Sequence, residues 1–158
     1  MEAVQTYIAL GSNLEPRAEH LARARTLLQR ISEGNWQESS IRETAPVGPA
    51  GQGPYLNQVV SFLSSRHSVA LLHFCKGAEI ALGRKARGRW EAREIDLDLL
   101  YRGQELYHDP QLQLPHPRIA ERRFVLEPMC ELAPGWNDPS HGISVAVLLD
   151  RLNQSEAL

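Results

Sequence analysis

A chain of 158 residues with 42% hydrophobic and 23% charged side chains has the composition of one soluble globular domain. Its net charge of −2 excludes an overall field that would draw it onto nucleic acid or membrane. No apolar run approaches the roughly 20 residues of a membrane span, and the N-terminus lacks a signal-peptide pattern. The expectation is a single cytoplasmic domain over residues 1–158, with no nucleic-acid or membrane partner. Cys75 and Cys130 form no close-spaced metal or redox motif, so both read as reduced core residues.

Residues 4–10 alternate weakly and are rich in β-formers, predicting a strand that ends at Gly11-Ser12-Asn13. That tripeptide reads as a strand-to-helix turn with a capping residue and is assigned no chemistry. Pro16 suits the first turn of a helix. Leu21, Ala24, Leu28 and Ile31 follow at helical spacing, with Gly34 marking the end. Residues 36–44 predict a second strand. It stops at a loop over 45–54 carrying three prolines and three glycines. Residues 56–63 predict a third strand. Ser68 is the expected N-cap of a helix carrying Leu71, Cys75, Ala78 and Leu82, closed by Gly83.

The fourth strand, over 95–101, carries the chemistry. Side chains two apart on a strand share a face, so Asp96 and Asp98 stand together while Ile95, Leu97 and Leu99 turn into a core. Adjacent carboxylates raise one another's pKa and are costly to desolvate. The ordinary remedy is a divalent cation, and two hard carboxylates suit Mg²⁺. Immediately upstream, Arg84, Lys85, Arg87, Arg89 and Arg93 set five cations in ten residues against one acid, Glu91. Carboxylates beside a polyanion-binding loop point to phosphoryl transfer. The polar face of an edge strand beside a solvated basic loop is the competing reading.

After a turn at Arg102-Gly103, residues 105–107 predict a short strand pairing back as a hairpin. Pro115-His116-Pro117 is a stiff connector, followed by a helix over 118–131 and a last amphipathic helix over 143–152. The order β-α-β-β-α-β predicts an α+β fold of ferredoxin-like type: an antiparallel-rich sheet with its helices on one face.

Several segments together resemble the 6-hydroxymethyl-7,8-dihydropterin pyrophosphokinases of folate biosynthesis. They are Tyr7-Ile8-Ala9-Leu10-Gly11-Ser12-Asn13-Leu14, Thr44-Ala45-Pro46-Val47-Gly48 and Tyr55-Leu56-Asn57. Further on come Glu79 with Gly83-Arg84, Arg93-Glu94-Ile95-Asp96-Leu97-Asp98, Pro115-His116-Pro117-Arg118 and Arg122-Arg123-Phe124-Val125-Leu126. They run in the family's order across nearly the whole chain.

The resemblance implies transfer of the β,γ-pyrophosphoryl group of ATP, the co-substrate, to the hydroxymethyl oxygen of the pterin, releasing AMP. It implies that Asp96 and Asp98 hold two Mg²⁺ ions and that Arg84 and Arg93 bind the triphosphate. Glu79, Ile95, His116 and Arg122 would complete the nucleotide site, with Glu79 organising the arginines. Tyr55 and Phe124 would sandwich the pterin, with Asn57 and main-chain groups of Thr44 and Val47 along its edge. Gly11-Ser12-Asn13 would border the substrate cleft without a chemical role. Small-molecule substrates and a monomer are the expected associations. Lys85 and Arg87 are both candidates for a further phosphate contact. Rival readings are a non-catalytic pterin- or nucleotide-binding module, and an RNA-binding ferredoxin-like domain, which the net charge of −2 and the acidic groups beside the candidate metal site oppose.

Overall fold

The computed structural model describes residues 2–45, 53–85 and 92–157. Nine strands and four α-helices follow one another among them. These are β1 (Val4–Ser12), α1 (Arg17–Ile31), β2 (Gln37–Glu38), β3 (Arg42–Thr44), β4 (Tyr55–Ser64), α2 (Ser68–Ala81) and β5 (Asp96–Arg102). The remainder are β6 (Tyr107–His108), β7 (Gln113–Leu114), α3 (Arg123–Leu132), β8 (Asn137–Asp138), β9 (Ile143–Ser144) and α4 (Val145–Glu156). The main sheet runs β2-β4-β1-β5, with β3 also on β4, and every pairing is antiparallel. That is the ferredoxin-like order expected from the sequence.

The helices, however, cover both faces of this sheet. Leu21, Ala24 and Leu28 of α1, with Leu71, Cys75 and Ala78 of α2, pack on Ile8, Leu10, Val60, Phe62, Leu97 and Leu99. On the opposite face, Val125, Leu126 and Met129 of α3, with Val145 and Leu148 of α4, cover Tyr7, Val59, Leu100 and Tyr101. The expectation of helices on one face fails because the last third of the chain supplies a second layer. A register shift at Tyr7/Ile8 leaves Leu100 between the paired Leu99 and Tyr101. The resulting bulge puts Leu100 and Tyr101 both into the second core.

Other departures have local causes. The strand expected over 36–44 splits, because Ser39 Oγ accepts from Val59 N–H and replaces a main-chain acceptor in the ladder. The cap of α2 is His67, whose Nδ1 accepts from Val69 N–H, and Ser68 is the helix's first residue. Pro16 stands just ahead of α1 instead of within it. Tyr107–His108 pairs forward with Gln113–Leu114, not back onto β5, across a turn in which Asp109 Oδ1 accepts from Gln111 and Leu112 N–H. The helix expected over 118–131 is a 3-10 turn (Ile119–Glu121) and α3, separated by an extended Arg122. Cys75 is buried, while Cys130 is only half-buried; both are free thiols.

Candidate active site

The cleft opens where the α3/α4 layer ends. In the register of β4, β1 and β5, Asn57, Gly11 and Asp96 form one row, and Val59, Ala9 and Asp98 form the row behind. Along this face β1 presents Tyr7, then Ala9, then Gly11, so the floor drops as side chains shrink. Asp96 and Asp98 rise from one wall, and Tyr55 and Asn57 from the other. The first residues around α3 add Arg122 and Phe124. A volume of about 530 Å³ results, lined also by Thr44, Arg84, Arg93 and His116.

The carboxylates and arginines meet directly. Asp96 Oδ1 lies 3.2 Å from Arg84 Nη2 and 3.3 Å from Arg93 Nη1. Burial, then the charge of Asp98, push the Asp96 carboxyl above its ordinary range, against the pull of both arginines. Among the described residues Asp98 has no direct ion pair. Beneath them, the buried Glu79 uses Oε2 to accept from Leu97 N–H at 2.8 Å, satisfying a donor on the edge strand β5. Its Oε1 faces Arg84 Nη1 at 3.4 Å and Lys76 Nζ at 3.6 Å. Burial raises its pKa, and these three partners oppose the rise. Arg84 therefore bridges Glu79 to Asp96.

His116 is anchored by its own N–H on Leu100 C=O at 3.0 Å, and its Nδ1 accepts from Arg118 N–H at 3.2 Å. An acceptor Nδ1 puts the neutral ring's proton on Nε2. Burial lowers the pKa of the ring, with Arg122 and Arg118 adding to the effect and Asp98 resisting it. On the other side, Asn57 Nδ2 donates to Thr44 Oγ1 at 2.5 Å. The guanidinium of Arg122 lies 5.5 Å from the centre of the Phe124 ring. The Tyr55 hydroxyl is raised by burial and by the nearby Asp96.

A second cavity of about 490 Å³ adjoins the first and shares Lys76, Asp98 and His116 with it. Leu72, Leu99 and Leu112 give it apolar walls, and the β6–β7 turn closes one side with Gln111 and Gln113. No sequence pattern singles out this turn. Its only signal is an Asp-Pro pair at 109–110, which marks a turn but not what the turn borders. Lys76, Arg118 and Glu121 also line the main cleft without having been anticipated there, and Gly11 lies on its floor.

Most of the expected residues converge, but Lys85, Ile95 and Glu79 do not line the cleft, and two others lie outside the described residues. The side chain of Ile95 is fully buried in the α1/α2 core and does not line either cavity. Glu79 lies under the cleft instead of on its wall. Val47, like Arg87, falls outside the described residues.

The donor set itself tests the fit to a metal. Among the described residues no group of three or more His, Cys, Asp and Glu could enclose an ion. An all-protein cage for a calcium-like ion is therefore not what these residues form. Mg²⁺ usually takes one or two carboxylates and completes its octahedron with water and substrate phosphates. Asp96 and Asp98, open to a cleft rimmed by arginines, fit that second pattern.

Paired carboxylates facing guanidiniums, in a cleft on a ferredoxin-like sheet that Tyr55 and Phe124 also line, are the groups that a phosphotransferase with a flat acceptor would need. Comparison with known proteins names it further. The chain belongs to the 7,8-dihydro-6-hydroxymethylpterin-pyrophosphokinase (HPPK) family, whose profile it matches over residues 7–134. It is 42% identical over 127 residues to the 2-amino-4-hydroxy-6-hydroxymethyldihydropteridine pyrophosphokinase of Bacillus subtilis, covering 80% of this chain and 76% of that protein. The Pseudomonas aeruginosa enzyme of the same name is 34% identical over 136 residues, covering 85% and 84%. In fold, the chain superposes on Plasmodium falciparum HPPK-DHPS, solved with pterin and p-hydroxybenzoate, with a TM-score of 0.75 at 13% identity. That match covers 99% of this chain and 45% of the solved one, so this chain spans less than half of that solved chain. Membership makes the chain a pyrophosphokinase of folate biosynthesis, with hydroxymethyldihydropterin as acceptor.

Proposed function

We propose that the chain catalyses attack of the hydroxymethyl oxygen of 6-hydroxymethyl-7,8-dihydropterin on the β-phosphorus of ATP, in an Mg²⁺-dependent reaction. The new O–P bond forms as the bond from that phosphorus to the α-phosphate oxygen breaks, so AMP leaves and the pterin keeps two phosphates. The observation that carries this reading is the position of Asp96 and Asp98. They share a cleft with two arginines on one side and Tyr55, Asn57 and Phe124 on the other.

Each group has a distinct task. Tyr55 and Phe124 hold the ring by stacking, worth about 0.5–1.5 kcal/mol per aromatic pair beyond area burial. Asn57, already tied to Thr44 by its amide nitrogen, offers its Oδ1 to the ring edge, with main-chain groups of Thr44 and Val47 beside it. Arg84, Arg93 and Arg122 receive phosphate oxygens, and a planar guanidinium suits that geometry. His116, kept neutral by burial, donates from Nε2 toward the phosphates. The apolar second cavity takes the nucleoside, which puts the phosphates at the seam formed by Lys76, Asp98 and His116. When bound at Asp96 and Asp98, two Mg²⁺ ions neutralise phosphate charge and lower the pKa of the attacking hydroxyl. Glu79 and the Ile95 main chain support the nucleotide site from beneath. In this reading the domain works as a cytoplasmic monomer on small-molecule substrates.

Calorimetric titration with a non-hydrolysable ATP analogue tests the metal and nucleotide assignments together. Binding should be strong in Mg²⁺, weak in EDTA, and insensitive to Mg²⁺ once Asp96 and Asp98 are both Asn. Equal binding of the analogue in Mg²⁺ and in EDTA would contradict the assignment.

A further inference from the structure

Asn13 follows the last residue of β1 and is only 6% exposed. Its turn context makes it a natural helix cap, but it does not serve as one. The residue preceding α1 is Pro16, and the first N–H of that helix, on Arg17, is taken by the Glu15 carboxylate at 2.9 Å. Instead Asn13 grips a residue 80 positions away. Its Oδ1 accepts from Arg93 N–H at 2.6 Å, and its own N–H donates to Arg93 C=O at 3.1 Å. Both main-chain polar groups of Arg93 are thus held by one residue.

This bracket sits where β5 has not yet begun. The first β1–β5 pair is Gly11 with Asp96, so residues 92–95 lie ahead of the ladder. Arg93 Nη1 meets Asp96 Oδ1 at 3.3 Å, and that guanidinium lines the cleft. The carbonyl of Asn13 also runs close to Gly53, whose added side-chain carbon would lie 3.6 Å from it. Asn13 therefore stands between the chain segments that enter the cleft from both sides.

We propose that Asn13 is a positioning residue: its bracket on the Arg93 main chain fixes the guanidinium of Arg93 at the site of phosphoryl transfer. A flexible arginine pays rotamer entropy for each phosphate contact, and a fixed backbone removes part of that cost. Displacement by about 1 Å of a group that stabilises a transition state costs on the order of 10²-fold in rate. The proposal rests on the phosphate role assigned to Arg93.

The test is a double-mutant cycle in the full enzyme, with kcat and both KM values measured. Asn13→Ala should lower kcat roughly 10–100-fold while leaving the pterin KM near its original value. Asn13→Asp keeps the acceptor for Arg93 N–H and should recover most of the loss. In an Arg93→Ala background, adding Asn13→Ala should cost less than about 2-fold further, because the residue being positioned is already gone. Full additivity of the two substitutions would overturn the inference. So would an Asn13→Asp variant as impaired as Asn13→Ala, a comparison that survives even if the alanine variant folds poorly. An impaired Arg93→Ala with a fully active Asn13→Ala would sink the positioning role alone. A fully active Arg93→Ala would remove the role of Arg93 itself, and the inference with it.

Discussion

Gly11 faces Asn57 across the β1–β4 pairing, and a side-chain carbon at Gly11 would lie 3.3 Å from Asn57 Oδ1 and 3.5 Å from Tyr55 Cδ1. The backbone here is ordinary strand, so glycine is required by the space above it and not by its dihedral angles. That space is the floor of the proposed pterin slot. Gly11→Ala should leave the melting temperature nearly unchanged while weakening pterin binding by about 1–2 kcal/mol, roughly 5–30-fold. Affinity for an ATP analogue alone should scarcely move. Titration of the variant with each ligand separates the two effects, and unchanged pterin affinity would place the ring elsewhere.

Asp96 and Asp98 should be dispensable for folding and essential for turnover. Replacing either with Asn should lower kcat roughly 10²–10⁴-fold at saturating Mg²⁺. The circular dichroism spectrum should remain that of the parent. Near-normal turnover in Asp96→Asn would remove the metal assignment.

The two substrate pockets should fail separately. Phe124→Ala removes one face of the proposed aromatic slot, so pterin affinity should fall by about 1–3 kcal/mol, roughly 5–150-fold, with ATP binding preserved. Arg93→Ala should do the opposite in kind, with pterin still bound and turnover collapsed. A Phe124→Ala protein that lost ATP and kept pterin would reverse the assignment.

Away from the cleft, Asp138 should govern part of the acid stability. It is buried, and its Oδ2 accepts from the Tyr101 hydroxyl at 2.5 Å while Oδ1 accepts from Ser140 N–H and Oγ–H. Burial works against its ionised form, but the bonds from Ser140, Tyr101 and His141 prevail and hold its pKa below the usual value. A depressed folded-state pKa stabilises the fold above the unfolded carboxylate value near 4, and that stability is lost as pH falls through the folded value. Asp138→Asn should therefore lower the melting temperature at pH 7, and the gap from the parent should narrow as pH drops below about 4. A gap independent of pH would mean that the Asp138 charge contributes nothing.

Much of this architecture is legible in the sequence wherever one side-chain period dominates. The alternation from Ile95 to Leu99 predicts both the core face and the paired carboxylates, and Leu21, Ala24 and Leu28 mark their helix plainly. What escaped depends on contacts between distant residues or on single atoms. Ser39 breaks its strand with one hydroxyl, and Arg122 interrupts a helical pattern that contains no glycine or proline at that point. The second cavity arises from the β6–β7 turn folding against Leu72 and Leu99, and Leu99 reads from the sequence as ordinary core. Asn13 looked like a cap because only the folded chain brings Arg93 to it.

The most direct measurement of the central claim is the identity of the nucleotide product. The protein should be incubated with ATP, Mg²⁺ and 6-hydroxymethyl-7,8-dihydropterin and followed by phosphorus-31 NMR. Attack at the β-phosphorus predicts AMP in equal amount to a pterin bearing a diphosphate, with no ADP. Stoichiometric ADP and a pterin monophosphate would show attack at the γ-phosphorus, and would contradict the account.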